Sequence, residues 1–204
     1  MNAEAHWQRI YGTRRSAEVS WYAAHLERSL AMIRSVAGIA AKIIDIGGGA
    51  STLVDDLLAG GYRNVSVLDI SAAALNVSKA RLGVDAGTVA WIVDDVTNVL
   101  LPQATYDLWH DRAVFHFLTG AADRHAYVDL AARSLKVGGH AVIATFAPDG
   151  PARCSGLDVV RYDPAALGLE LGPNFVLKEE ARATHRTPSG ADQQFIHCIF
   201  QRIG

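Results

Sequence analysis

Three features of the sequence predict an α/β fold with a doubly wound, mostly parallel sheet of seven strands and a late antiparallel hairpin. Between residues 41 and 146, short apolar runs alternate with amphipathic ones, a pattern typical of successive strand–helix–strand units. The first apolar run leads directly into three consecutive glycines, Gly47–Gly49, and then into a helical pattern. The last two apolar runs have a turn and no helix between them, so they must pair antiparallel.

The individual elements are predicted from periodicity and from turn residues. Apolar side chains at three- and four-residue steps predict one or two amphipathic helices over residues 4–36. The predicted strands are 42–46, 64–69, 88–93, 105–109, 140–146, 174–184 and 193–201. The predicted helices are 51–58, 72–81 with Ser71 as its N-cap, 122–135 and 164–169. Residues 148–157 are too rich in turn residues for regular structure and should form part of a pocket wall.

The length and composition fit a single domain, 1–204, in which a helical lid, 1–36, precedes a core, 41–204. Half of the residues are apolar and 20% are charged, an ordinary balance for a folded domain. The formal charge is −2 and there is no basic run, so no nucleic-acid partner is expected. No apolar run reaches membrane-spanning length, and no signal-peptide pattern is present. Two cysteines without a CxxC pair suit a reducing compartment, so we expect a cytoplasmic protein without a membrane partner.

The glycine turn predicts a ligand site at a helix N-terminus, because glycine lets a ligand approach the bare backbone. A dinucleotide fingerprint would place a third glycine where Thr52 stands. Asp45 lies two residues before Gly47, where its charge would repel a pyrophosphate and attract an amine. S-Adenosylmethionine is therefore favoured over NAD, although a tight strand–helix turn without a ligand would look the same in isolation.

Two further acidic residues follow the next two predicted strands. Asp69 lies twenty residues after the last glycine, where this type of fold places an acid that accepts both ribose hydroxyls. Asp94 and Asp95 end the third strand; an acid there can accept from an adenine amino group, while the N–H of Val96 reaches a ring nitrogen. Each acid alone can be read as a helix cap or a loop residue. Because the strands are parallel, we expect Asp45, Asp69 and Asp95 to converge at one edge of the sheet.

With these residues in place, the chain resembles the class I S-adenosylmethionine-dependent methyltransferases from the first strand through the late hairpin. Asp45–Gly49 corresponds to the glycine-rich motif of that family, Asp69 to its ribose-binding acid and Asp95–Val96 to its adenine-contacting pair. Gly48 departs from the cysteine or serine that is usual there. The resemblance implies a Rossmann-like fold, S-adenosyl-L-methionine as cofactor and S-adenosyl-L-homocysteine as product. The implied cofactor contacts are Asp45, Gly47, Gly48, Gly49, Asp69, Ile70, Asp94, Asp95, Val96 and His110.

The methyl acceptor is expected to be a small molecule, because the chain carries no added recognition domain. Trp7 and Tyr11, together with the run Ser20–Tyr22, are similar to a subgroup that includes the protein lysine methyltransferases of elongation factors and citrate synthase. Protein lysine is therefore the alternative acceptor, and a cofactor-binding module without catalysis is the rival of another class. The run His110–Ala113 does not match the Asn/Asp-Pro-Pro-Tyr motif of amino-directed nucleic-acid methyltransferases.

His110 is the predicted catalytic base, because it is placed just past the fourth strand and histidine titrates near neutral pH. A role in orienting the substrate or capping the next helix is equally open. The predicted acceptor-binding residues are five aromatic side chains and one arginine: Trp7, Tyr11, Trp21, Tyr22, Phe146 and Arg112. The rings can enclose an acceptor or can belong to the core. No metal site is predicted, because the nearby acids and histidines lack a tight ligand spacing.

Overall fold

The computed structural model describes residues 3–13 and 15–204, and a seven-stranded sheet runs through its centre. The strands are β1 Lys42–Ile46, β2 Asn64–Asp69, β3 Ala90–Val93, β4 Tyr106–Arg112, β5 Leu135–Phe146, β6 Arg153–Cys154, β7 Leu157–Asp158, β8 Phe175–Arg186 and β9 Asp192–Arg202. The order in the main sheet is β3-β2-β1-β4-β5-β9-β8. Strands β1 to β5 pair in parallel, whereas β9 is antiparallel to both β5 and β8. The predicted mixed sheet with its late hairpin is confirmed.

Helices cover both faces of this sheet. In the described part of the chain the α-helices are α1 Ala3–Thr13, α2 Glu27–Val36, α3 Leu53–Ala59, α4 Ala72–Leu82, α5 Ala121–Ser134 and α6 Pro164–Leu171. Ser71 caps α4 as predicted, since its side chain accepts a hydrogen bond from Ala74 N. The predicted lid 1–36 corresponds to α1, a short 3₁₀ turn at Ser16–Glu18 and α2; residues 1, 2 and 14 lie outside the described residues.

Each face of the sheet buries its own apolar cluster. On one face, Ile33 of α2 and Leu53 of α3 pack against Ile43 of β1 and form a cluster that is closed to solvent. On the other face, α5 and α6 cover Trp109 of β4 and Ile143 of β5. Strands that are buried on both faces read as continuous apolar runs, which is why β1 and β5 stand out in the sequence.

A polar network fixes β4 to α5 inside the second cluster. Trp109 Nε1 donates to Tyr127 Oη at 2.8 Å, and Tyr127 Oη donates to Asp111 Oδ2 at 2.6 Å. Asp111 also accepts from the backbone N–H groups of Val114 and Phe115, at 2.8 and 3.0 Å. Burial raises the pKa of Asp111 to about 6, and these donors oppose that shift. Asp111 therefore holds the turn after β4.

The main difference from the prediction lies in β4, which runs to Arg112 rather than ending at residue 109. His110 pairs with Asp45 of β1, and Arg112 pairs with Ala144 of β5. The sequence did not indicate this extension, because the polar side chains of residues 110–112 are typical of a loop. Tertiary pairing on both sides outweighs that local preference.

Two other boundaries differ from the prediction. Helix α5 stops at Ser134 and β5 starts at Leu135, so Gly138 and Gly139 lie within the strand rather than at the helix end. Residues 148–157 contain β6 and the start of β7, which form a short antiparallel hairpin. The described helices do not include one that is both long and apolar enough to cross a membrane.

We predict that the Trp109–Tyr127–Asp111 network stabilises the fold and that an isolated buried hydroxyl does not. Tyr127→Phe should lower the free energy of unfolding by about 1–3 kcal/mol, because it leaves the buried Trp109 N–H without its acceptor. Tyr162→Phe is the matched control: the buried Tyr162 hydroxyl has no hydrogen-bond partner among the described residues, so its removal should cost little. Urea unfolding followed by circular dichroism measures both, and equal effects would contradict the assignment.

Candidate active site

Two adjoining cavities lie at the edge of the sheet where β1, β2 and β3 end. The smaller, of about 50 Å³, lies against the glycine turn Gly47–Gly48. The larger, of about 280 Å³, lies against Asp69 and Asp95. The residues in the walls of both cavities are Tyr11, Trp21, Ile46, Gly47 and Arg112. Open α/β sheets bind ligands at the carboxyl ends of their strands, so these cavities form the candidate site.

The glycine turn leaves bare backbone at the floor of the smaller cavity. Gly47 has a φ of +65°, a conformation that residues with side chains rarely adopt, and a Cβ there would collide with Val114. A Cβ on Gly48 would collide with the carboxylate of Asp45 and with Val67. The position that usually carries cysteine or serine is therefore glycine here because Asp45 fills the space that a side chain would need.

Asp45 is held by a buried hydrogen-bond chain that reaches the N-terminal helices. Its side chain is almost closed to solvent, and His110 Nδ1 donates to its Oδ1 at 2.7 Å. His110 Nε2 lies 2.9 Å from Ser29 Oγ of α2 and accepts from that hydroxyl. Asp45 Oδ2 has no hydrogen-bond partner among the described residues, although it is buried. An open carboxylate oxygen beside the smaller cavity can accept from the ammonium group of a ligand.

Asp69 ends β2 in the wall of the larger cavity, and backbone groups orient its carboxylate. Ser71 N donates to Oδ1 at 2.8 Å, and the N–H of Gly49 also donates to this carboxylate. Burial raises the pKa of Asp69 to about 7, the nearby charge of Asp45 adds to this shift, and the two backbone donors oppose it. In its ionised form Asp69 can accept from two neighbouring hydroxyls.

The segment after β3 forms the next part of the larger wall. Asp94, Asp95 and Val96 all border the larger cavity, together with Ile70 after β2. Asp95 Oδ1 accepts from the backbone N and the hydroxyl of Thr97, at 2.8 and 2.7 Å, which fixes the turn. Polar atoms beside the apolar side chains of Ile70 and Val96 can bind the edge and the faces of a flat base.

Aromatic side chains from the N-terminal segment line the cavities. Trp7 and Trp21 meet edge to face with ring centroids 5.5 Å apart, and Trp21 Nε1 donates to Tyr11 Oη at 3.1 Å. Gln8 fastens α1 to the start of α4, since its Oε1 accepts from Ser71 Oγ at 3.1 Å. The N-terminal helices and the glycine turn thus belong to one site.

The structure brings most of the predicted site residues together. The predicted residues in the walls are Trp7, Tyr11, Trp21, Tyr22, Asp45, Gly47, Gly48, Asp69, Ile70, Asp94, Asp95, Val96, His110 and Arg112. Gly49 is absent from both walls and instead donates its N–H to Asp69. Phe146 is also absent from them: it is buried against His116 and Phe195, with ring centroids 4.6 and 4.8 Å apart. This burial does not favour the predicted role of Phe146 as an acceptor contact, because its strand turns the side chain into the core.

The position of His110 differs from the prediction. It lies inside β4 rather than past its end, it is 1% exposed, and both ring nitrogens have partners within the protein. A general base must reach the proton that it removes, so this geometry does not favour His110 in that role. Its contacts favour a positioning role, in which His110 orients Asp45.

Sequence reasoning missed several residues of the larger cavity. They lie next to the predicted acids and on or beside the short 3₁₀ turn after β4: Leu68, Thr97, Val114, Phe117 and Leu118. Cys154 and Leu157 also line this cavity, and both belong to residues 148–157, the segment that was predicted to form part of a pocket wall. Only its hairpin was not predicted, because no periodic signal marks strands of two residues. Phe117 could have been predicted as a cavity residue, since it follows β4 at the same edge of the sheet. An apolar run at that place, however, is equally typical of the core.

Solved structures with the same architecture include three whose ligands or products are informative. A protein from echinomycin biosynthesis, studied in the conversion of a disulfide bond into a thioacetal group, has a TM-score of 0.80 at 17% identity and covers 99% of this chain and 93% of its own. The 1,6-didemethyltoxoflavin-N1-methyltransferase of Burkholderia thailandensis, with 1,6-didemethyltoxoflavin and S-adenosylhomocysteine bound, has a TM-score of 0.78 at 18% identity, with coverages of 98% and 87%. The N-methyltransferase NodS of Bradyrhizobium japonicum, in complex with S-adenosylhomocysteine, has a TM-score of 0.69 at 18% identity, with both coverages 86%. At these identities the likeness shows the fold.

The sequence of the central sheet region indicates the protein family. A family model described as a methyltransferase domain matches residues 43–139, from β1 into β5. This core is therefore a methyltransferase domain, and the chain as a whole is similar to the class I S-adenosylmethionine-dependent methyltransferases. A comparison of the sequence with curated proteins found no match. Its cofactor is S-adenosyl-L-methionine, as predicted.

The geometry of this methyltransferase fits that cofactor. The unpaired Asp45 Oδ2 suits the ammonium of the methionine end, and the side-chain-free Gly47–Gly48 turn gives that end access to the backbone. Asp69 stands where vicinal ribose hydroxyls can donate to it, and Asp95 with Val96 borders the remaining wall. These individual contacts are proposals. They are based on the hydrogen-bonding groups that are unpaired in the structure or that border the cavities.

We predict that cofactor affinity in this methyltransferase depends on pH through Asp69. Its pKa is raised to about 7, so protonation on lowering the pH removes a ribose acceptor. The affinity for S-adenosylhomocysteine should be full above about pH 8 and should fall by about tenfold per pH unit well below pH 7. Isothermal titration from about pH 5.5 to 8.5 measures this slope.

Two variants serve as controls for that slope. Asp69→Asn cannot ionise and should bind weakly with a flat profile. Asp95→Asn should keep the slope, because Asp69 is intact. A wild-type affinity that is constant from about pH 5.5 to 8.5 would contradict the role of Asp69.

Proposed function

We propose that this methyltransferase transfers a methyl group to a small-molecule acceptor bound in the larger cavity. The observation that carries the proposal is the composition of that cavity. Its walls join the acids that suit adenosine, Asp69 and Asp95, to an apolar region formed by Trp7, Phe117 and Leu157. The chain therefore supplies wall residues suited to the cofactor and to an acceptor beside it.

Bound at this edge, the cofactor would supply a methyl group on a sulfonium sulfur, to which the acceptor lone pair bonds in line as the carbon–sulfur bond breaks and S-adenosylhomocysteine leaves. The protein contributes orientation and exclusion of water. Asp45 and the Gly47–Gly48 turn bind the methionine end, and Asp69 fixes the ribose. The residues common to both cavity walls, among them Tyr11 and Arg112, border the place where the two ligands meet.

Proton removal by the lining residues is not required in this proposal. Burial raises the pKa of Cys154 to about 11 and lifts the pKa of Tyr11 well above its usual value, so both stay protonated at neutral pH. His110 is occupied by Asp45 and Ser29. The acceptor therefore presents a free lone pair of its own, and the proton that it later loses passes to solvent.

The N-terminal segment acts as a lid in this proposal. It contributes Trp7, Tyr11 and Trp21 to the cavity walls, so an acceptor of any size requires it to move or to fold around the ligand. Ser29 ties the far end of the lid to His110, and hence to Asp45. Cofactor binding and closure are thereby coupled through one hydrogen-bond chain.

Known ligands of similar structures support a small acceptor. The similar structure from Burkholderia thailandensis has 1,6-didemethyltoxoflavin, a small molecule, and S-adenosylhomocysteine bound. Protein lysine was the alternative acceptor, and no specific contact in the described residues favours it.

We predict that radiolabelled methyl groups from S-adenosylmethionine will appear in metabolites when the protein is incubated with a cell lysate. Separation of the lysate into protein and small-molecule fractions measures the acceptor class. Asp45→Asn should lose the signal, whereas Asp107→Asn, which changes an aspartate paired with Lys136 at the opposite end of β4, should keep it.

Other outcomes distinguish the alternatives. Label confined to the protein fraction would show that the acceptor is a protein side chain and not a small molecule. Cofactor binding without any transfer would favour a binding module without catalysis.

A further inference from the structure

Arg112 carries a charge that its protein surroundings leave without an acidic partner. It is the last residue of β4, and it lies in the walls of both cavities. Its Nη1 donates to the carbonyl oxygen of Trp21 at 3.0 Å, and its guanidinium lies 5.2 Å from the ring centre of Phe195. Among the described residues no carboxylate forms an ion pair with it. A guanidinium has several N–H donors, so most of its hydrogen-bonding capacity remains open.

The groups around Arg112 do not neutralise it. Burial lowers the pKa of Arg112 to about 10, so it remains a cation at neutral pH. The pKa values of His116, His185 and His197 are lowered, first by burial and then by the charge of Arg112, so these neighbours stay neutral. Cys154 and Asp45 act on it over distance, but burial raises the pKa of Cys154 to about 11, and Asp45 is already bonded to His110. Arg112 is partly buried in the walls of both cavities, so an anion that enters them can pair with its guanidinium.

Flat aromatic walls stand beside this cation. Trp7 meets Trp21 and Phe117 edge to face, with ring centroids 5.5 and 5.2 Å apart, and all three rings line the larger cavity. Tyr11 completes the group, with its ring centroid 6.1 Å from that of Trp21. Such rings favour a planar apolar ligand, whose faces and edges they can contact.

We propose that the methyl acceptor is a planar aromatic or heteroaromatic compound with an anionic substituent, and that Arg112 binds this substituent. The inference rests on the proposed function and deepens it, since it specifies the acceptor class. An anion on Arg112 holds the ring against Trp7 and Trp21 at the junction of the two cavities. An arginine pairs a carboxylate through two parallel hydrogen bonds, which also fixes the orientation of the ring.

The carboxylate of the cofactor is the other possible source of this anion, because Arg112 also borders the smaller cavity. The two sources differ in one measurable respect. An acceptor anion leaves the cofactor affinity independent of Arg112. A cofactor carboxylate makes that affinity depend on Arg112 only for ligands that carry the amino-acid group.

The test uses benzoate, salicylate and 2-naphthoate as probes, each compared with its neutral amide. The probes are titrated by calorimetry into wild-type protein saturated with S-adenosylhomocysteine. At least one acid should bind, and it should bind about tenfold or more tightly than its amide, as expected for a charge-assisted contact. Arg112→Met should abolish the preference for the acid, and Arg112→Lys should keep part of it. Arg63→Met is the control, since exposed Arg63 donates to the backbone carbonyls of Leu58 and Tyr62 and lies in neither cavity wall.

Several results would overturn the proposal. These are equal binding of acids and amides, no binding of any acid, or an Arg112→Met variant that retains the preference. Weaker S-adenosylhomocysteine binding in Arg112→Met, with unchanged 5′-methylthioadenosine binding, would assign the anion to the cofactor instead. If Arg112→Met does not fold, the comparison of acid and amide in the wild type decides alone. Because the probes require no turnover, failure of the methyl-transfer assay remains a separate result.

Discussion

The buried hydrogen bond between Asp45 and His110 is the contact on which the rest of the site depends. A carboxylate that is closed to solvent needs a partner, and His110 satisfies one oxygen while leaving the other unpaired. The same contact explains the glycine at position 48, where a side chain would collide with Asp45. Through Ser29 it also reaches α2, so Asp45 in the wall of the smaller cavity and the predicted lid share one chain of hydrogen bonds.

Much of the fold could be predicted because its signals are local. Strands β1, β2 and β5 are apolar runs buried on both faces, and Ser71 carries the hydroxyl that an N-cap requires. The end of β4 could not be predicted in this way. Residues 110–112 are polar, and they are strand only because β1 and β5 pair with them on either side. Such pairing is a property of the assembled sheet, and no window of the sequence contains it.

The candidate site, like the fold, could be predicted only in part from the sequence. Asp45, Asp69 and Asp95 could be brought together from the sequence, since parallel strands end at one edge. The direction of a side chain could not: Phe146 turns into the core, and His110 is enclosed by Asp45 and Ser29 rather than facing an acceptor. The charge of Arg112 was visible in the sequence, but its lack of an acidic partner became evident only when its neighbours proved to be neutral histidines and aromatic rings.

The most direct test of the role of Asp45 compares two ligands in wild-type protein and in Asp45→Asn. S-Adenosylhomocysteine carries the ammonium group, and 5′-methylthioadenosine has the adenosine without the amino-acid end. Calorimetry should show that Asn at position 45 weakens S-adenosylhomocysteine binding by about 10- to 100-fold, through loss of a charged hydrogen bond, and leaves 5′-methylthioadenosine binding unchanged. Equal losses for both ligands, or no loss for either, would contradict the assignment of Asp45 to the methionine end of the cofactor.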